Sequence, residues 1–125
     1  MRLYTSYYAR VVRASDDILL IRVSNTVPDW FNREYHTLSV NVFPDWKFIN
    51  AFKKDEISYE TFCAEYRKKI TGTTQPCEIL DEIKRLAEEC GKDKVALLCY
   101  EKNSNLCHRT ELARIIDDGC YCGEL

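Results

Sequence analysis

The stretch Val95-Ala-Leu-Leu-Cys-Tyr-Glu-Lys-Asn-Ser-Asn-Leu-Cys-His-Arg-Thr110 decides the fold. It begins as a short apolar run bounded by Lys94 and Glu101. Such a run reads as a strand buried on both faces, the kind found in parallel sheets covered by helices. It ends in Cys107-His108-Arg109, where a helical pattern begins. Reactive side chains therefore fall where strand gives way to helix. In an open α/β sheet that is the carboxyl edge, where such sheets hold their ligands.

Upstream, Leu3–Tyr8 is rich in β-formers and reads as a first strand, with Thr5 and Ser6 toward its carboxyl end. Ala9–Asp17 reads as a loop or one short helical turn. Ile18–Val23 is a second buried strand interrupted by Arg22, and Ser24–Pro28 breaks it with turn formers. Trp30 and Phe31 follow that edge, either walling a pocket or covering the sheet. In His36–Phe43, Leu38, Val40 and Val42 share one side, as in a strand or an extended lead-in. His36 reads as a surface or turn residue.

Asp45 suits the N-cap of a helix reaching Lys54, with Phe48, Ile49 and Phe52 as its buried stripe. Ser58 caps the next, whose face is Tyr59, Phe62, Cys63, Tyr66 and Ile70, with a Glu65–Lys69 pair. Pro76 opens a third helix with an inner face of Ile79, Ile83, Leu86, Ala87 and Cys90, and Gly91 closes it. A last helix spans His108–Asp118, and Tyr121–Leu125 suits an edge strand. The alternation of strands and helices predicts one three-layer, Rossmann-like α/β domain over residues 1–125. Its sheet is mostly parallel, and a helical pair is inserted near the middle, around residues 45–70.

Composition narrows the function classes. With 46% apolar and 30% charged residues in 125, the chain is neither disordered nor fibrous. A net charge of −2 supplies no global basic field, which argues against broad sequence-independent nucleic-acid binding and leaves a local basic patch open. No apolar run approaches the roughly 20 residues of a membrane span. With no apolar leader at the amino terminus, the expectation is a cytoplasmic protein without a membrane partner. Seven cysteines, an odd number, point to free thiols and not to a disulfide framework. Cys63 and Cys90 read as inert, buried or half-buried residues on helical stripes, and Cys99 packs at its strand end.

A helix amino terminus offers unpaired N–H groups and about half a positive charge, which favours a thiolate at Cys107. Arg109 offers a planar fork for phosphate or carboxylate, and histidine is the side chain suited to passing a proton near neutrality. Glu101 serves as base, nucleophile or anchor for Arg109. Against this stands a purely structural alternative, in which Glu101 and Arg109 form a buried ion pair over a packed Cys107. The positions of Arg109 and Arg114 do not fit a tyrosine-phosphatase loop around Cys107, and a Cys-x-x-Cys motif is absent. Zinc held by Cys107, His108, Cys120 and Cys122 has unusual ligand spacing, so no metal is expected.

Leu97-Leu-Cys-Tyr-Glu101, a short polar loop, Cys107-His-Arg109 and Leu112-Ala113 resemble the signature of the domain of unknown function family 488, small proteins of bacteria, archaea and phages. The resemblance covers residues 95–113 closely, and the first strand and Tyr59–Tyr66 more loosely. Many members carry Asp-Val-Arg at the end of the second strand, where this chain reads Ile21-Arg-Val-Ser24. The resemblance implies a fold and a site, not a reaction.

The expectation is an enzyme-like pocket for a small anionic or nucleotide-like ligand. Its candidate catalytic residues are Cys107, His108 and Glu101. Its candidate ligand-binding residues are Arg109, Tyr4, Ser6, Arg22, Ser24 and Trp30. The alternatives are a non-catalytic binding module, in nucleic-acid metabolism or phage–host conflict, and a thiol redox sensor. Residue types point to no particular cofactor.

Overall fold

A computed structural model describes residues 1–102 and 107–125. In chain order the elements are β1 (Arg2–Tyr7), α1 (Tyr8–Val11), β2 (Ile18–Arg22), β3 (His36–Thr37), α2 (Trp46–Lys53), α3 (Tyr59–Thr73), α4 (Pro76–Glu89), β4 (Lys94–Cys99), α5 (His108–Ile116) and β5 (Tyr121–Glu124). The five strands form one all-parallel sheet in the order β3-β2-β4-β1-β5. Parallel neighbours need crossovers. The chain leaves β1 through α1 and returns as β2 beyond β4, then leaves β4 through α5 and returns as β5 beyond β1.

The apolar run of β4 is central because both of its faces are covered. Val95, Leu97 and Cys99 join Leu3, Leu19 and Ile21 in a core roofed by α3, α4 and α5. Ala96 and Leu98 face the other way, into a smaller core with Leu20, Tyr8, Val11 and Phe31. The layering is Rossmann-like, with a thick helical layer on one face and one helical turn plus a loop on the other. Edges are short: β3 has two residues and β5 four, so little unpaired backbone is offered to other chains.

Several helix ends follow their local chemistry. Ser58 Oγ accepts the Thr61 backbone N–H at 3.1 Å. Gly91, at φ 65°, closes α4 with Lys92 N–H bonding Ala87 O at 2.8 Å and its own N–H bonding Glu88 O at 3.1 Å. That pair of bonds is the Schellman arrangement, and it needs a residue at ease in the left-handed region.

Four expectations need correction. Asp45 does not cap α2 with its side chain; its carboxylate takes the Lys69 ammonium at 2.8 Å. Lys69 is thereby unavailable to Glu65, which pairs with Lys68 instead. Cys90 follows the last residue of α4 as its exposed C-cap and so leaves the inner face. None of Phe48, Ile49 and Phe52 is fully buried, because the inner face of α2 fronts a cavity and not the core.

Leu97 is fully buried in the middle of β4. Leu97→Ala should therefore cost about 2–5 kcal/mol in urea unfolding, with the slope of the transition unchanged.

Candidate functional site

Because every strand is parallel, β1, β2 and β4 end on the same side. Tyr7 lies opposite Cys99 and Arg22 opposite Leu98. The chain beyond β2, the chain beyond β4 and the amino terminus of α5 meet there around a cavity of about 670 Å³. Ser24, Asn25 and Thr26 form one wall, Cys99, Tyr100 and Glu101 a second, and Cys107 and His108 the floor. Trp46, Ile49, Phe52 and Lys53 of α2 close the far side. Trp46 and Tyr100 remain 54% and 47% exposed, so the mouth carries two large rings.

The floor is built around His108. Its Nε2 lies 2.6 Å from the Val23 carbonyl oxygen. A carbonyl only accepts, so Nε2 carries the hydrogen and Nδ1 is left with its lone pair in the neutral ring. Nδ1 lies 3.7 Å from Cys99 Sγ and 3.9 Å from Cys107 Sγ, and Cys99 Sγ is also 3.5 Å from Nε2. The Tyr66 ring meets the imidazole edge-on at 5.1 Å, and Tyr66 is itself anchored by its hydroxyl to Val42 O at 2.6 Å. Cys99, Cys107 and His108 are 1%, 3% and 7% exposed.

The two thiols are driven apart in acidity. Burial pushes Cys107 up, but the hydrogen bond from Cys99, the adjoining His108 ring and the Arg109 backbone N–H outweigh it and hold this thiol well below the ordinary cysteine value. Cys99 is pushed well above that value by burial, and by the hydrogen bond and charge of Cys107. Of the two sulfurs, Cys107 is the more acidic.

Arg109 takes no part in lining the cavity. Its side chain has no exposed surface. It donates to Glu124 through Nη2 at 2.8 Å and Nε at 3.2 Å, and to the backbone carbonyls of Glu101 and Lys102. The structural alternative named the wrong acid: the carboxylate paired with Arg109 belongs to Glu124, not to Glu101. The reason is directional. The backbone of Glu101 turns its carbonyl to the guanidinium while its side chain stays exposed at the cavity wall.

Of the nine residues singled out from sequence, Ser24, Glu101, Cys107 and His108 line the cavity, and Tyr4, Ser6, Arg22, Trp30 and Arg109 do not. Tyr4 packs against the smaller core. Ser6 is fully buried, and its hydroxyl has no partner among the described residues. Arg22 bonds Thr37 and Asn25 O and lies 4.7 Å over the Phe43 ring. Trp30 stands exposed beside Phe31. Ser24 is held by Tyr8 at 2.6 Å and donates to Thr26 O at 2.7 Å.

Sequence reading missed Cys99 as a partner of Cys107, Trp46, Tyr100 and Lys53 as cavity residues, and Glu124 as the mate of Arg109. Only Cys99 carried a signal, since alternation along β4 turns it to the same face as α5. The zinc set weighed from sequence does not assemble. Among the described residues, the groups of three or more donors within 4.8 Å are Cys99, Cys107 and His108, and separately Asp117, Asp118 and Cys120. The second group is a turn: Asp117 accepts the Gly119 and Tyr121 N–H groups, and Asp118 holds Lys84.

No helix among the described residues is long and apolar enough to cross a membrane. A family model described as DUF488-N3a, the active DUF488-N3 subclade, matches residues 3–120. No curated protein and no solved structure matches the chain.

Burial raises the Glu124 carboxyl, but hydrogen bonds from Arg109 and Thr5 outweigh it and hold the group below its ordinary value of 4.5. A depressed acid stabilises the fold above its unfolded value, and that stability is lost as pH falls through the folded value. Glu124→Gln should therefore flatten the acid limb of the stability curve below about pH 4.5, measured by urea midpoints across pH.

Proposed function

The chain belongs to the DUF488-N3 family, and on that premise we propose an enzyme-like protein whose cavity takes a small anionic or nucleotide-like ligand. The observation that carries this reading is convergence. Two cysteines and a histidine, all buried, meet at the floor of one cavity whose mouth holds two exposed aromatic rings. Buried reactive groups facing an open cavity are the usual mark of a ligand site. The matching family description, an active subclade, agrees with it.

Each part then has a role. Trp46 and Tyr100 stack a planar ring at the mouth. Lys53 and the first N–H groups of α5 receive negative charge. Cys107 and His108 are the reactive end, and Glu101 handles protons at the wall. Arg109 is withdrawn from the clamp assigned to it by sequence and becomes the brace behind the floor. The chain acts as one α/β unit, since both cores share the sheet. Seven free cysteines suit a reducing cytoplasm.

Purified protein should release a retained nucleotide-like compound on denaturation, read by mass spectrometry, and a panel of ribonucleotides should raise its melting temperature. Trp46→Ala removes one stacking ring, worth about 1–3 kcal/mol per base, and should weaken binding while leaving the melting temperature of the free protein near its original value. An empty cavity, with no shift from any ribonucleotide, would sink this reading.

A further inference from the structure

We propose that Cys99, Cys107 and His108 together hold a divalent metal ion, zinc in the first instance, with its fourth coordination position facing the cavity. The inference rests on the reading of that cavity as a ligand site and supplies what its lining lacks.

The lining is short of positive charge. Lys53 is offset by Asp55 and Glu101, and the guanidinium of Arg109 is spent on Glu124 outside the cavity. An anionic ligand gains little from such walls. A divalent ion bound by two thiolates and a neutral imidazole makes a centre of zero net charge, so no charge is left uncompensated among the buried donors. Its open position takes a ligand oxygen as a Lewis acid and not through net positive charge.

The geometry fits this use. With zinc–sulfur bonds of about 2.3 Å and a zinc–nitrogen bond of about 2.0 Å, sulfur and nitrogen on a tetrahedral ion stand about 3.5 Å apart. Nδ1 lies 3.7 Å from one sulfur and 3.9 Å from the other, and the three donor atoms all lie within 4.8 Å of one another. Cys99 Sγ also lies 3.5 Å from Nε2, over the face of the ring, so closing the set takes a turn of the Cys99 side chain that carries its sulfur to the Nδ1 side. The outer shell is also in place: Nε2–H is committed to the Val23 carbonyl at 2.6 Å, the bond that fixes the tautomer of a metal-binding histidine. Two sulfurs and an imidazole select zinc-like ions over magnesium or calcium, which prefer oxygen. All three donors line the cavity, which leaves the fourth position open to water or ligand, as in catalytic zinc sites with three protein ligands. Binding is balanced by the loss of one proton from each thiol to solvent, with no oxidation or reduction. The centre so formed polarises a bound carbonyl or phosphoryl oxygen or activates a water.

The test uses the full chain purified under reducing conditions without chelator. Elemental analysis should give about one zinc per chain. After chelation, titration with cobalt(II) chloride should produce the visible bands of tetrahedral cobalt and a near-ultraviolet thiolate band, saturating at one equivalent. Cys99→Ser should weaken cobalt binding by about 100-fold or more, with unchanged circular dichroism, whereas Cys120→Ser/Cys122→Ser should leave it as it is. Absence of both zinc and cobalt bands in the original protein overturns the proposal, and so does a spectrum lost only in the Cys120/Cys122 variant. The two readings part cleanly. Metal without any retained ligand removes the cavity reading and keeps the metal. Ligand binding by protein that takes up neither zinc nor cobalt removes the metal and keeps the cavity.

Discussion

A guanidinium with no exposed surface holds the functional edge together. Arg109 joins three segments: α5, whose second residue it is, the chain leaving β4 at Glu101 and Lys102, and β5 through Glu124. Burying such a cation is costly unless its nitrogens are met, and here carboxylate and carbonyls bond all three of them. The Tyr7 ring lies 5.9 Å from the guanidinium carbon and adds a fourth neighbour. With Arg109 pinned, the start of α5 has one position relative to the sheet. Cys107 and His108 are then aimed into the cavity by a brace that never enters it.

How much of this was legible in the sequence varied with the range of the signal. The apolar runs of β2 and β4 and the 3.6-residue rhythm of α3 and α4 declare themselves locally, because a strand covered on both faces has little room for polar residues. The parallel sheet and the carboxyl-edge site follow from those runs. Cys107 and His108 were visible as a strand-to-helix motif, and the structure sets them between β4 and the start of α5. Partner choice was not visible. Glu124 reaches Arg109 only because β5 pairs with β1, a contact 119 residues apart along the chain at Thr5 and Glu124. The half-buried face of α2 looked like core, since periodicity records which side is apolar and not what that side confronts.

The same limit explains why the site changed composition. Residue types near the strand ends suggested an anion clamp of arginine and thiolate. Folding turns the arginine to the far side of α5, leaves Arg22 with Thr37 and Phe43, and brings Cys99 beside Cys107 instead. A site read as a cationic clamp thus becomes a donor cluster of sulfur and nitrogen. The aromatic rings at its mouth come from α2 and the chain after β4, two segments with no sequence relation.

The division between a brace and a reactive floor is tested most directly by a double-mutant cycle in urea unfolding, pairing Arg109→Ala with Glu124→Gln and, as control, with Glu101→Gln. Arg109→Ala alone should lose on the order of 3–5 kcal/mol, as expected when one partner of a buried pair is removed. Its coupling to Glu124→Gln should lie in the range of about 1–3 kcal/mol, and its coupling to Glu101→Gln near zero, because only the backbone of Glu101 meets the guanidinium. A small loss for Arg109→Ala, or coupling to Glu101 in place of Glu124, would contradict the account and return Arg109 to the cavity.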